Sequence, residues 1–248
     1  MRRFEGSVAV ITGAGRGIGA IIARDLIEEG ATVYVADVDF ERARSKAAEL
    51  GKAARPAKVD VSRPAEVAAL FAEVARAAGG TDHLVNCAGG YAPLVPTLKI
   101  TPEEYDLVMD SNLKGTFLCC QAAVAQMIKK GRGAIVNFSS LAGRQTSPAL
   151  GTHYTAAKAG VLGLTRHFAK EFGAQGVRAN AVAPGTTEGE RVAGLLTAED
   201  RSRQISGIPL GRFATAEDLS PVVRFLLSDE ARYVTGATID VNGGVLTI

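Results

Sequence analysis

Short β-branched runs alternate with longer stretches of helical periodicity along almost the whole of this 248-residue chain, and that alternation limits the folds open to it. The runs VAVITG, TVYVAD, AKVDV, HLVNCAG, AIVNFSS, VRANAVAP and ATIDVNGG read as strands, and the segments at about 17–30, 40–50, 64–79, 102–130, 153–174 and 215–228 read as helices. The strand runs are continuously apolar rather than alternating, as in a parallel sheet covered on both faces. Repeated strand–helix units of this kind predict an α/β fold: a doubly wound parallel sheet of seven strands, helices on both faces, joined by right-handed crossovers. No linker or break in composition divides the chain, so residues 1–248 are expected to form a single domain. The segment at about 186–212 fits the rhythm least. It reads as a substrate loop or lid, or equally as a solvated surface excursion.

The octapeptide TGAGRGIG, residues 12–19, follows the first strand and opens the first helix. Gly13, Gly15, Gly17 and Gly19, with Arg16 and Ile18 between them, let the backbone turn tightly and approach a ligand closely. The helix beyond offers free N–H groups and the positive end of its dipole to a pyrophosphate. Asp37 closes the second strand, where a carboxylate accepts from adenosine ribose hydroxyls and repels a 2′-phosphate. At about 4 Å that repulsion is on the order of 1 to 4 kcal/mol, so NAD is expected over NADP. Arg16 works against this preference, and a strand-terminal Asp also serves simply as a helix cap.

Tyr154 and Lys158 stand four residues apart in HYTAAKAG, on one helix face about 6 Å apart along the axis. Taken alone, such a pair is usually an exposed surface pair. A free phenol has a pKa near 10, so ionising it at neutral pH costs roughly 4 kcal/mol. A neighbouring ammonium lowers that cost and makes the phenol an acid/base.

With TGAGRGIG, NCAG at 86–89, Asn112 in DSNLKG, NFSS at 137–140 and YTAAK at 154–158 in that order, the chain resembles the short-chain dehydrogenase/reductase (SDR) family, and 3-oxoacyl reductases most generally. The resemblance runs from about residue 5 to 244 and extends through NAVAPG, PLGR and TGATIDVNGG. It implies a Rossmann-type fold, a nicotinamide cofactor, and a catalytic set of Asn112, Ser140, Tyr154 and Lys158. Tyr154 would be the general acid/base and Ser140 the second donor to the substrate oxygen. Lys158 would bind the nicotinamide ribose, and Asn112 would hold a relay water. Cofactor contacts would come from Gly13, Gly15, Arg16, Gly17, Ile18, Gly19, Asp37, Asp60, Val61, Asn86, Ala88, Gly89, Tyr154, Lys158, Pro184, Gly185 and Thr187. Asp60 reads equally well as a helix N-cap. Ser139 competes with Ser140 for the working hydroxyl, and the span from Ser140 to Tyr154 is one residue longer than is common. Gly189 stands where the family commonly has a nicotinamide-contacting threonine, so Thr186 or Thr187 would have to take over. Cys87 replaces a frequent asparagine and is expected to pack behind the cofactor. The resemblance also implies a homotetramer built through 102–130, 153–174 and the tail to Ile248.

Composition excludes several other classes. The net charge is +2 and the pI about 8.4, with no basic stripe, so nucleic acid is not an expected partner. No apolar run reaches the roughly 18–20 residues of a membrane span, and the N-terminus turns directly into a strand, so neither an anchor nor a signal peptide is expected. Cys87, Cys119 and Cys120 are odd in number, which argues for a reducing compartment, the cytoplasm. His83, His153 and His167 make no ligand pattern with them, and no metal is expected. The expected function is NAD-dependent interconversion of a secondary alcohol and a ketone. The alternative is an NADP-linked 3-oxoacyl-thioester (acyl-carrier-protein) reductase, and a catalytically silent nucleotide-binding protein ranks last. Tyr91, Leu94, Leu141, Arg144, Gln145, His153 and residues 186–212 are the candidates to line the substrate pocket. Arg144 and His153 read as polar contacts for an anionic substrate or as exposed loop residues.

Overall fold

The apolar runs pair into one parallel seven-stranded sheet in the order β3-β2-β1-β4-β5-β6-β7 in the computed structural model, which describes residues 2–90, 95–146, 151–194 and 196–247. The strands are β1 (Val8–Thr12), β2 (Thr32–Asp37), β3 (Ala54–Lys58), β4 (His83–Asn86), β5 (Gly133–Phe138), β6 (Val177–Pro184) and β7 (Thr238–Val241). The helices are α1 (Gly17–Glu28), α2 (Phe40–Leu50), α3 (Pro64–Ala78), α4 (Pro102–Met109), α5 (Gly115–Lys130), α6 (Thr152–Phe172), α7 (Glu190–Ala193), α8 (Ala198–Ser206) and α9 (Ala216–Leu227). Alternation along β1 divides the core. Ala9 and Ile11 join Ile22, Leu26, Val223 and Leu226 from α1 and α9 on one face. Val8 and Val10 join Leu70, Val74, Val124 and Phe168 from α3, α5 and α6 on the other. Each such aliphatic or aromatic side chain contributes roughly 1.5–3 kcal/mol by leaving water, and together they cover both faces of a Rossmann-type sheet. The strand order reverses between β1 and β4, which opens a crevice at the carboxyl ends of those two strands.

Two expectations need correction. The third strand is Ala54–Lys58, not the apolar AKVDV run. It is an edge strand with Arg55, Pro56 and Lys58 exposed, so it carries no continuous apolar signal. Proline lacks the N–H a central strand needs, and charges protect an open edge. Val59 and Val61, which made AKVDV look like a strand, are buried against α3 from the loop that follows. The single helix expected over 102–130 is α4 and α5 joined through a π-helical turn, Asp110–Lys114. Within it the Asn112 amide donates to the Val108 carbonyl at 2.8 Å, competing with the backbone ladder for that acceptor.

Polar anchors tie the first helix to the last. Ser220 on α9 donates to the buried Asp25 carboxylate at 2.6 Å, and Arg3 and Arg224 both pair with Glu29. No helix among the described residues is long and apolar enough to cross a membrane, and no group of three or more metal-binding side chains occurs among them.

The His83 ring packs edge-on against Phe4 at 5.3 Å, and its Nδ1 is buried with no hydrogen-bond partner among the described residues. Burial pushes its pKa down to about 4, even though the Asp82 charge pulls the other way. The unfolded chain therefore takes up a proton that the native ring refuses. The stabilisation is complete above about pH 6.5 and is lost as pH falls towards 4, an effect on the order of 3 kcal/mol. Thermal melts at pH 7 and 4.5 are expected to show this loss, and His83→Leu to reduce it. An unchanged loss in the variant would remove His83 as its cause.

Candidate active site

The glycine loop after β1 and the loop after β4 meet at the crevice. Gly13 has φ +66°, and a Cβ there would lie 2.9 Å from the Ala88 Cα. The Thr12 hydroxyl accepts the Ala88 N–H at 3.2 Å, which locks the two loops together. A Cβ on Gly19 would come within 2.5 Å of the Gly13 carbonyl, so the turn into α1 also needs glycine there. Gly17, at φ +56°, faces open space, and the first turn of α1 carries no acidic side chain. By contrast α2, α4 and α8 begin at Asp39, Thr101 and Thr197, whose side chains cap them, and each has acids in its first turn. A glycine cradle before an acid-free helix start fits a pyrophosphate.

Asp37 lies at the lip of this cradle. Its carboxylate accepts the Gly15 N–H at 3.0 Å and the Asp39 N–H at 3.1 Å. Arg42 packs behind Gly15 and pairs with Asp39 at 3.1 Å. Arg16 occupies the N-cap position of α1 in extended backbone. The Asp60 carboxylate accepts from the Ser62 N–H and hydroxyl and from Arg63, and these partners hold it below the usual carboxylate range. These bonds close the turn that leads into α3, but Asp60 is not the helix N-cap, since that position is Arg63 and carries no side-chain cap hydrogen bond. Val61 is buried beside Asp60. Asn86 directs its amide inward, donating to Asn137 at 2.9 Å and to the Cys120 thiol at 3.3 Å. Ala88 and Gly89 border the crevice, and Cys87 packs against the core on the α1 side.

The catalytic candidates converge at the ends of β4 and β5. Tyr154 is 8% exposed on α6 and packs against Val108 and Ala142. The Lys158 ammonium lies 5.6 Å from the centre of the Tyr154 ring and donates to the Phe138 carbonyl at 2.9 Å. The two adjacent serines have different partners. The buried Ser139 hydroxyl donates to the Lys158 carbonyl at 2.8 Å. The Ser140 hydroxyl, half-buried, accepts the Ala142 N–H at 3.1 Å and caps a short 3₁₀ turn, Leu141–Gly143. Asn112 is fully buried, with its side chain gripping Gly90: Oδ1 accepts the N–H at 3.0 Å and Nδ2 donates to the carbonyl at 2.8 Å. A Cβ on Gly89 would strike Asn112 Oδ1 at 2.5 Å.

The substrate-side candidates fare differently. Tyr91 and Leu94 lie outside the described residues. Arg144 is not an exposed loop residue, because its guanidinium forks onto Asp240 of β7 with two contacts of 3.0 Å. His153 is also not exposed: at 2% accessibility its ring is buried, with Nε2 3.8 Å from the Glu104 carboxylate. Leu141 is half-buried and Gln145 exposed. Pro184 ends β6 and Gly185 donates to the Val241 carbonyl. The Thr187 hydroxyl donates back to the Gly185 carbonyl at 3.2 Å, Thr186 donates to Gln204 at 3.4 Å, and a Cβ on Gly189 would meet nothing. The sequence reading missed Thr12, the Phe138 carbonyl and Asp240. Thr12 was visible at the head of the glycine motif, whereas a carbonyl acceptor and a partner 96 residues away leave no local trace.

The chain is similar along nearly its whole length to proteins of known kind. A family model described as "Enoyl-(Acyl carrier protein) reductase" matches residues 13–246. The chain is 39% identical to the 2-(S)-hydroxypropyl-CoM dehydrogenase 3 of Xanthobacter autotrophicus, over 99% of each chain. It is also 39% identical to a 3-oxoacyl-[acyl-carrier-protein] reductase of Staphylococcus aureus, over 96% of this chain and 97% of that one. The crystal structure of a 3-oxoacyl-[acyl-carrier protein] reductase from Brucella melitensis superposes with a TM-score of 0.93 at 34% identity, covering 100% of this chain and 94% of the other.

Proposed function

The chain belongs to the short-chain dehydrogenase/reductase family, as an NAD(P)-dependent oxidoreductase acting on CH–OH and C=O groups, and we propose that its first substrate class is the 3-oxoacyl thioester. Several of the relatives at 39% identity carry 3-oxoacyl-[acyl-carrier-protein] reductase names, which supports this reading over the plain alcohol dehydrogenase that the sequence reading put first. The second reading, NAD-linked oxidation of a small secondary alcohol, draws on Asp37 and on relatives named galactitol and sorbitol dehydrogenase.

The observation that carries the chemistry is the Tyr154–Lys158 pair beside the Ser140 turn. When bound, the nicotinamide supplies or accepts the hydride. Tyr154 then gives its phenolic proton to the carbonyl oxygen in reduction, or takes the alcohol proton in oxidation. Lys158 keeps positive charge beside the phenol and holds the ribose. Ser139 is committed to the Lys158 carbonyl, whereas Ser140 accepts from a backbone N–H and retains its own proton for the substrate oxygen. Asn112 shapes the loop at Gly90. Its main-chain carbonyl accepts from Thr116 at 2.7 Å and keeps a second lone pair for the relay water. The glycine cradle and Asp37 hold the adenosine half, with the carboxylate favouring NAD. Residues 186–194 and 196–212 border the substrate in this reading, and an odd number of cysteines accords with a cytoplasmic setting.

Turnover of a 3-oxoacyl thioester such as acetoacetyl-coenzyme A, above that of sugar alcohols, is the expected result; activity on the alcohols alone favours the second reading. Tyr154→Phe is expected to lower turnover by roughly a hundredfold to ten-thousandfold with folding and cofactor binding kept, while Lys158→Ala weakens cofactor binding as well. Near-normal turnover in Tyr154→Phe would reduce the pair to a structural one.

Cofactor preference follows from Asp37. Catalytic efficiency is expected to be roughly tenfold to a thousandfold higher with NAD(H) than with NADP(H), and Asp37→Ser to narrow the gap. Equal efficiencies in the unaltered enzyme would remove Asp37 as the determinant.

Assembly is the last element. Between α5 and α6 lies an apolar groove of about 660 Å³ lined by Met109, Leu113, Phe117, Leu164 and Phe168, with Phe117 40% exposed. A second copy of the chain covers this groove in the homotetramer we propose. Light scattering at micromolar concentration is expected to give the mass of four chains, and a monomer mass would overturn it.

A further inference from the structure

We infer that the ion pair between Arg144 and Asp240 is a positioning clamp that sets the Ser140 turn against the Pro184–Gly185 turn; the inference rests on the catalytic reading above. Arg144 Nε donates to Asp240 Oδ1 and Nη2 to Oδ2, each at 3.0 Å, with both side chains about four-fifths shielded from solvent. This is the bidentate fork that only arginine makes, and it restricts orientation as well as distance.

Both ends are tied to the site. Asp240 sits in β7 opposite Ala183, and its neighbour Val241 pairs with Pro184 and accepts the Gly185 N–H at 3.0 Å. The carboxylate is therefore held by the strand that carries the cofactor-side turn. Arg144 closes the 3₁₀ turn that begins at Ser140, its N–H donating to the Leu141 carbonyl at 3.0 Å. On its inner side that turn leans on α6. Ala142 packs on Tyr154, Ser139 bonds the Lys158 carbonyl, and a Cβ on Gly143 would collide with that carbonyl at 2.7 Å. Those contacts act as a hinge along one edge. The fork fixes the opposite edge, reaching past β6 to β7, so that Ser140 cannot rock relative to Tyr154. Engagement of both carboxylate oxygens also gives Arg144 a role other than gripping the substrate.

The test compares wild type with Arg144→Leu, Arg144→Lys, Asp240→Leu and the double Leu variant. Steady-state kinetics with acetoacetyl-coenzyme A are combined with NADH binding, thermal melts and amide hydrogen exchange. In both single Leu variants kcat is expected to fall about tenfold to a hundredfold, with KM and NADH affinity within about threefold of wild type. The double variant is expected to lose no more than either single one, and Arg144→Lys to recover part of the loss. Amides in 139–145 are expected to exchange faster in each Leu variant. A raised KM with kcat preserved in Arg144→Leu alone would make Arg144 a substrate contact and overturn the clamp. A lowered melting temperature with kcat unchanged would make the pair merely structural. If the wild type turns over no thioester, the substrate reading fails. The exchange arm still decides the clamp, which is lost if 139–145 stay as protected as in wild type.

Discussion

A chain of buried polar side chains runs beneath the site, and the placement of α6 depends on it. Asn86 of β4 donates to Asn137 of β5, Asn137 donates to the Thr165 hydroxyl at 3.0 Å, and Thr165 returns its proton to the Val161 carbonyl of its own helix at 2.7 Å. All three residues are essentially inaccessible to water. Leaving one such group unpaired in the core costs roughly 1–3 kcal/mol, so the chain permits one register of helix on sheet and penalises others. Thr165 lies on the same helix as Tyr154 and Lys158, and a slip of α6 would move the phenol and the ammonium with it.

The upper part of the site extends this rigidity to the strand ends. The Lys158 ammonium is held by the Phe138 carbonyl and its main-chain carbonyl by Ser139, so the residue is fixed through side chain and backbone to the end of β5 and the residue after it. Asn112 fixes Gly90, shortly after β4, by gripping both of its polar backbone groups. These contacts use side chains to satisfy backbone groups where the sheet stops and its ladder can no longer do so. The catalytic end of a parallel sheet is where such groups accumulate.

Glycine supplies the matching freedom on the cofactor side. The backbone of the loop after β1 comes so close to Ala88 that a methyl group on Gly13 would overlap it, and the positive φ there is one that other residues rarely adopt. Thr12 then ties the two loops with a single hydrogen bond. These contacts hold the two loops together at the crevice between β1 and β4, and Asp37 lies at its rim because β2 neighbours β1.

Much of this was legible in the sequence, because the features involved are local. Apolar runs, helix periodicity, the glycine spacing and the Tyr–Lys interval each repeat over a few residues and report on the element that contains them. Six of the seven strands, the glycine loop and the helix bearing Tyr154 are read from them. Where burial is decided by distant neighbours, the reading failed. Val59 and Val61 looked like a strand because they are apolar, but they are apolar to pack under α3, while the true edge strand, with Arg55, Pro56 and Lys58 facing solvent, looks like a loop. Nothing local distinguishes Ser139 from Ser140, and only the fold gives each hydroxyl its own partner. Arg144 reads from the sequence as an anion contact or an exposed loop residue, and only the fold brings Asp240 of β7 beside it across 96 residues. The sequence thus determined the kinds of elements and the chemistry they carry, since these follow from short-range periodicity and residue type. Only the tertiary structure decided which polar groups pair, because that depends on which strands become neighbours at the sheet's carboxyl edge.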